Sequence, residues 1–495
     1  MPPLGLLVFV VGAGSLGSEI AGARLLAPYF GASTIVWANT IATVLTALSI
    51  GYWLGGRLAD RRPERRVLCL VVECAAVALA LVPIAGRPFL DGAVEALDDV
   101  SAGAFVGSLL GVSVLLAVPV LLMGAVAPFA IRLSIGAVSE SGRVSGRLYA
   151  ISTAGSLAGT FLAALVLIPL AGTQRTFLVF ALAMAAVAAL GLPRRALVVP
   201  AVLAGAIALP TGSIKDESAD GRVIWEADTE YQYARVVEKP DGERVLELNE
   251  GVAEHSYYRP GSYLTGYLDD HFLVLPLALG EEPPRGIAVL GNAAGTIARE
   301  YGRFFPRTLV DGVEIDRELS DVGRRLFDMR APRLRIHTED ARPFLRRADE
   351  RYDAIFLDAY RQPYIPFYLV TREFFDLCRD RLAPGGPLVV NVGHPEGDDR
   401  LERAVTATLS RTFAHVLRDE VADTNVLLVA SAARPSAARL AAAAGRLGPE
   451  LGPLARDAAA RLEPPLAGGE VYTDDRAPVE WLIDRSIVEY AADDR

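Results

Sequence analysis

The run Val289-Leu290-Gly291-Asn292-Ala293-Ala294-Gly295 is apolar and closes on glycines just before a helical stretch. Gly291 and Gly295 would let the backbone approach a ligand, and the helix N-terminus behind them favours anionic or electron-rich groups. About 20 residues beyond this turn a second apolar run ends in Val313-Glu314-Ile315-Asp316, where the Glu314 carboxylate can accept both hydroxyls of a ribose. A third run leads to Glu339-Asp340-Ala341, which puts Asp340 where it could accept the amino group of an adenine. A fourth ends at Leu357-Asp358-Ala359-Tyr360, with Asp358 at the carboxyl edge, where ligands of open α/β sheets bind. Each acid taken alone is equally a helix cap or a surface residue. Together, four consecutive strand ends predict a rim that grips an adenosyl group.

The elements that must hold this rim are strands at 287–290, 308–315, 334–337, 354–357, 388–392 and 425–430, with helical stretches between them. Such alternation predicts a doubly wound α/β sheet. Upstream, 223–237 and 244–248 alternate like the strands of a small hairpin joined at 238–243. Residues 211–222 read as a polar linker, and 431–468, rich in Ala and Arg, as helical.

The 495 residues are 52% hydrophobic and 22% charged, a mixture that points to a membrane protein. Residues 1–212 hold 13 Arg against 9 Asp and Glu, and the remainder holds 36 basic against 50 acidic residues. So acidic a second part repels phosphate backbones and suits cationic small molecules, which excludes nucleic acid as an expected partner. Cys69, Cys74 and Cys378 fit neither a disulfide framework nor a zinc motif, and no metal is expected.

Six segments, near 3–26, 34–56, 66–86, 103–131, 146–170 and 174–192, are long and apolar enough to cross a bilayer, which takes about 20 residues of helix. A seventh, 196–210, is short and contains Pro200. Arg57, Arg61, Arg62, Arg65 and Arg66, with Arg132, Arg143, Arg147, Arg194 and Arg195, fall on one side, against Arg24, Arg87 and Arg175 on the other. The positive-inside rule then places the N-terminus in the cytoplasm; six spans place the second part there too, and seven place it outside. The expected plan is a multi-span α-helical domain over 1–212, a small β-rich substrate-binding region over 213–285 and a Rossmann-like domain over 286–495. A multi-pass protein of the cell (inner) membrane follows, with the lipid bilayer as a partner. Glu19 and Glu73 lie within spans, where an ionisable group marks either a conduit or a structural pair. The small residues of Gly155-Ser156-Leu157-Ala158-Gly159 suggest close helix packing.

Thr229-Glu230-Tyr231-Gln232, the glycine turn, Val313-Glu314-Ile315-Asp316, Glu339-Asp340-Ala341 and Asp358 follow one another as in spermidine synthase and related aminopropyltransferases, over about residues 225–395. The stretch from Gly51 to Arg61 and the late motif Tyr472-Thr473-Asp474-Asp475-Arg476-Ala477-Pro478-Val479-Glu480 resemble the subgroup in which such a domain is fused to membrane helices. The resemblance implies a class I methyltransferase-type fold. It also implies transfer of an aminopropyl group from decarboxylated S-adenosylmethionine to putrescine or a related diamine. By carry-over Gln232 and Glu314 would hold the ribose, Asp340 and Ala341 the adenine, Gly291 and Gly295 the turn beneath the donor, and Asp358 would be the catalytic acid/base.

Two departures alter the acceptor pocket: soluble members carry an Asp where this chain has Ala294, and a second Asp where it has Arg361. His255, Tyr257, Tyr258, Tyr267, Asp269, Asp270, Tyr360, Asp474 and Asp475 are candidate substrate contacts in their place. A homodimer is compatible with the sequence. Two other readings stand beside this one: a methyltransferase using intact S-adenosylmethionine, and a polyamine transporter or conduit with coupled synthesis.

Overall fold

The computed structural model describes residues 2–30, 34–97, 103–209, 221–249, 253–361 and 364–483, and the polar linker lies outside them save for residues 221–222. The chain forms two compact units, one of Met1–Asp216 with Glu226–Tyr233, the other of Glu217–Trp225 with Ala234–Arg495.

The first unit is helical: α1 (Leu4–Phe30), α2 (Thr34–Arg61), α3 (Arg65–Leu97), α4 (Gly103–Gly124), α5 (Val126–Ser134), α6 (Ser141–Leu162), α7 (Ile168–Ala171), α8 (Thr173–Ala189) and α9 (Val198–Ala208). A π-helical turn, Ala163–Leu167, joins α6 to α7. Its core is almost wholly aliphatic and aromatic, running from Leu7 through Val72, Phe129 and Phe177 to Met184. The helices α1 and α6 touch backbone to backbone: a Cβ on Gly155 or Gly159 would lie 2.1 Å from the carbonyl oxygen of Phe9 or Ala13. Small residues four apart make that approach possible.

Among the described residues five helices are long and apolar enough to cross a membrane, Leu4–Phe30, Val36–Arg61, Arg65–Leu90, Val106–Ser134 and Val138–Ala171. The sixth expected segment is the 17-residue helix Thr173–Ala189, at the lower limit of spanning length. The seventh contracts to the 11 residues of α9, too short to cross.

Beyond the helices the chain forms a four-stranded sheet and a seven-stranded one. The first is ordered β1 (Arg222–Asp228), β2 (Tyr233–Glu238), β3 (Arg244–Leu248), β4 (Glu254–Tyr258). The expected hairpin is thus four strands. Its long first strand breaks because the Thr229 hydroxyl accepts from the Tyr231 and Gln232 amides, closing a tight turn.

The second sheet comprises β5 (Gly286–Leu290), β6 (Leu309–Glu314), β7 (Leu334–Thr338), β8 (Ala354–Leu357), β9 (Leu388–Gly393), β10 (His415–Ala422) and β11 (Asn425–Ser431). Its order is β10-β11-β9-β8-β5-β6-β7. Five strands are parallel, and β11 runs antiparallel to both β9 and β10. The intervening helices are α10 (Thr296–Phe304), α11 (Arg317–Leu326), α12 (Ala341–Arg347), α13 (Arg372–Arg381) and α14 (Arg400–Thr412), with α15 (Ala437–Ala443) and α16 (Gly448–Arg461) after the last strand.

Both faces of this sheet are buried, and the residues alternate between two cores. Leu290, Leu357, Val390 and Leu428 pack on one side. Val289, Phe356, Val389 and Leu427 pack on the other. This is why the central strands read as continuous apolar runs. The strand β10 escaped the sequence reading because Arg418, Asp419 and Glu420 interrupt its apolar pattern. Arg418 and Asp419 are instead satisfied by ion pairs to Glu402 and Arg461.

Candidate active site

The parallel strands deliver their carboxyl ends to one rim, and the glycine turn sits at its centre. Gly291 adopts φ +90°, and its amide and that of Asn292 donate to the Val313 carbonyl. Gly295, at φ +89°, is the N-cap of α10. Ala293 holds φ +43°, a left-handed conformation that a side chain disfavours. The strain is tied down: the Ala293 amide donates to Glu314 Oε2 at 2.8 Å and the Ala294 amide to Ser256 Oγ at 3.0 Å.

Glu314 ends β6 and is buried. Its Oε1 accepts from the Asp316 amide at 2.9 Å. Desolvation lifts its carboxyl to about 7. The Ile315 amide also donates to this carboxylate. Asp340 is the N-cap of α12: Oδ1 accepts from the Arg342 amide at 2.8 Å and Oδ2 from the Tyr368 hydroxyl at 2.6 Å. Ala341 begins that helix and is buried.

Asp358 follows β8. Its amide donates to the Leu290 carbonyl, and its Oδ1 accepts from Asn391 Nδ2 at 2.8 Å. Burial pushes its carboxyl up to about 7, with the Asn391 hydrogen bond acting against that rise. The buried carboxyl of Asp269, in a 3-10 turn at Leu268–Leu273, stands well above its usual range. Desolvation is the main cause, with repulsion from Asp358 and Asp270 adding to it.

The strand β4 closes one side of the rim, pinned by the Tyr257 amide donating to Thr296 Oγ1 at 2.9 Å. Tyr257 stacks on Tyr267 with ring centroids 4.1 Å apart. The His255 ring tilts toward Tyr360 at 6.4 Å. The rim therefore combines desolvated acids with aromatic rings, a lining suited to an amine.

Several candidate contacts are occupied otherwise. Asp270 takes the Thr265 amide and hydroxyl and the Gly266 amide, so it shapes its own loop, whereas Asp269 feels the charge of Asp358. The Tyr360 hydroxyl accepts from the Gly393 amide and donates to the Asn391 carbonyl, fixing β9. Asp474 accepts both Nη atoms of Arg342, at 2.8 and 2.5 Å, and the Thr371 hydroxyl. These bonds tie Asp474 to α12 and to the start of α13. Asp475 is exposed in the turn closed by Thr473 and Arg476. Gln232 lies in the turn between β1 and β2, within the segment Glu226–Tyr233 that groups with the helical unit. Ala294 is fully buried among Leu319, Val322 and Phe327. Arg361 is exposed, paired through its backbone with Tyr364.

Sequence reasoning missed Asn391, a polar residue inside an apolar strand. That was the available signal, since a buried amide persists in a strand only with partners.

Sheet order, strand directions and the residues at the carboxyl rim define a Rossmann-like domain of the class I methyltransferase type. Residues 272–425 match the model of the spermine/spermidine synthase domain. A probable polyamine aminopropyl transferase of Bifidobacterium longum (strain NCC 2705) is 31% identical over 194 residues, which are 39% of this chain and 43% of that protein. A polyamine aminopropyltransferase of Vibrio vulnificus (strain CMCP6) is 36% identical over 112 residues, 22% of this chain and 38% of that protein. The chain thus spans less than half the length of these curated relatives. A solved structure of a probable spermidine synthase from Corynebacterium glutamicum ATCC 13032 covers 53% of this chain and 99% of its own, at 22% identity and a TM-score of 0.41.

Proposed function

We propose that the chain is a membrane-bound aminopropyltransferase of the spermidine synthase type, moving the aminopropyl group of decarboxylated S-adenosylmethionine to putrescine or a related diamine. The observation that carries this is Asp358, a desolvated carboxyl lifted to about 7 beside the glycine turn. An acceptor amine is protonated at neutral pH and must lose a proton before it can attack. Asp358 takes that proton, the nitrogen lone pair bonds to the methylene beside the sulfonium, and the carbon–sulfur bond breaks. The thioether leaves neutral, so no acid is needed on that side. A base whose affinity lies near the working pH suits the step. Glu314 accepts the ribose hydroxyls, Asp340 and Ala341 face the adenine, and Gly291 and Gly295 give the donor its floor. Gln232 is a second ribose ligand on the resemblance alone.

Support for the bilayer comes from the five long apolar helices and the bias of arginines to one side. With Thr173–Ala189 as a sixth crossing, the catalytic unit lies on the cytoplasmic face of the cell membrane. Purified full-length protein offered decarboxylated S-adenosylmethionine and putrescine should release methylthioadenosine, and Asp358→Asn should cut turnover about 100-fold or more with donor binding retained. Methyl transfer from intact S-adenosylmethionine without aminopropyl transfer would sink this reading.

A second reading concerns the helical unit. Glu73 in α3 is buried, and neither of its carboxylate oxygens has a hydrogen-bond partner among the described residues. An unpaired carboxylate inside apolar helices favours a conduit for cationic amines. Liposomes containing the protein should then take up labelled putrescine faster than empty ones, and Glu73→Gln should abolish the difference.

A further inference from the structure

Behind the rim a line of side-chain amides leads away from Asp358. Asn391 in β9 donates from Nδ2 to Asp358 Oδ1 at 2.8 Å. Its other end, Oδ1, accepts from Asn425 Nδ2 at 3.0 Å. Asn425 opens β11, and its own Oδ1 accepts from the Thr424 hydroxyl at 3.2 Å. The Thr424 carbonyl is held in turn by the His394 amide at 2.9 Å. Because β11 pairs antiparallel with β9, with Asn425 opposite Gly393 and Leu427 opposite Asn391, the two asparagines are diagonal neighbours on one face.

A primary amide has unlike ends, one donating and one accepting. With Asn425 presenting N–H to the Asn391 oxygen, only the Asn391 nitrogen is left to meet Asp358. Were Asn391 turned over, its oxygen would face a carboxylate and repel it. We propose that Asn425, which lies outside the rim, is a positioning residue for the transfer reaction: it fixes the orientation of the Asn391 amide and thereby holds the Asp358 carboxylate in its proton-accepting form. This rests on the role given above to Asp358. Asp269 of the 3-10 turn, Tyr257 of β4 and Tyr360 are the titratable groups whose fields reach Asp358 among the described residues, and the substitutions below leave all three in place.

The test is the acid limb of kcat/KM against pH in the full-length protein. Asn425→Asp offers only acceptors at that position, so Asn391 must turn its nitrogen outward and its oxygen toward Asp358. The limb should move up by about one pH unit, a roughly tenfold loss of rate below pH 7 that fades at high pH, with the donor KM unchanged. Asn425→Val should move it less, because the amide is released but not reversed. In an Asn391→Leu background, where the limb is already displaced, Asn425→Asp should add little, which separates relay through Asn391 from the direct field of a new charge. Asp358 is also followed without turnover, by its infrared carboxyl band, identified by difference from Asp358→Asn. That band should titrate higher in Asn425→Asp, and it reads the relay even if aminopropyl transfer is absent, a result that would overturn only the proposed function. An unmoved limb and band in Asn425→Asp, or a shift that persists in full without Asn391, would overturn the inference.

Discussion

A Cβ placed on Gly291 would lie 2.4 Å from the carbonyl oxygen of Asp358, so the glycine turn and the carboxylate-bearing turn are in backbone contact. No side chain at position 291 fits, and φ +90° adds strain to any that is tried. Gly291→Ala is expected to cost about 3 kcal/mol or more, read as a fall in the thermal unfolding midpoint. An unchanged midpoint would mean that the two turns can part freely.

Asp358 also makes stability depend on pH. Its carboxyl binds a proton more tightly in the folded chain, at about 7, than at its ordinary value of 3.8. That contribution to stability is full below about pH 4, declines as pH rises toward about 7, and is gone above it. Glu314, lifted to about 7, acts in the same direction. Between pH 5 and pH 8 the fold should lose on the order of 2 kcal/mol through Asp358, and Asp358→Asn should flatten that slope in melting curves taken across the range.

Glu314 accepts backbone amides from Ala293, Asp316 and Ile315. Glu314→Gln must turn an N–H2 toward one of them, leaving a buried donor unmet at a cost of about 1–3 kcal/mol. Calorimetric titration with decarboxylated S-adenosylmethionine should show at least tenfold weaker binding. Undiminished binding would take the ribose away from this carboxylate.

Asp474 reaches Asp340 through two intermediaries. It grips Arg342, whose Nη1 also donates to the Tyr368 carbonyl, and Tyr368 returns a hydroxyl to Asp340. Asp474→Ala should raise the donor KM by three- to tenfold, about 1 kcal/mol for a partly exposed pair, and leave the acceptor KM alone. Equal changes in both would point to a general loss of fold.

Much of the rim was legible because its chemistry sits at strand ends, where apolar periodicity stops and a glycine or an acid begins, as at Gly291, Glu314 and Asp358. Legibility failed where tertiary pairing overrides local pattern. The charges of β10 are hidden by ion pairs with Glu402 and Arg461, which lie outside the strand. Local pattern could not show the partner of Asp474, because Arg342 is 132 residues away in sequence. Asp269 and Asp270 are adjacent and alike in type, yet only the fold decides which one pins its loop and which feels the charge of Asp358.

The reversed direction of β11 has a consequence for how this sheet can vary. A parallel strand brings only its last residues toward the carboxyl rim, but a reversed one brings its first, so Asn425 arrives where it can bond Asn391, one side chain behind Asp358. Under the proposed function, insertions or exchanges in the bend at 423–425 should retune Asp358, while equal changes at the far end of β11 should leave it unaltered.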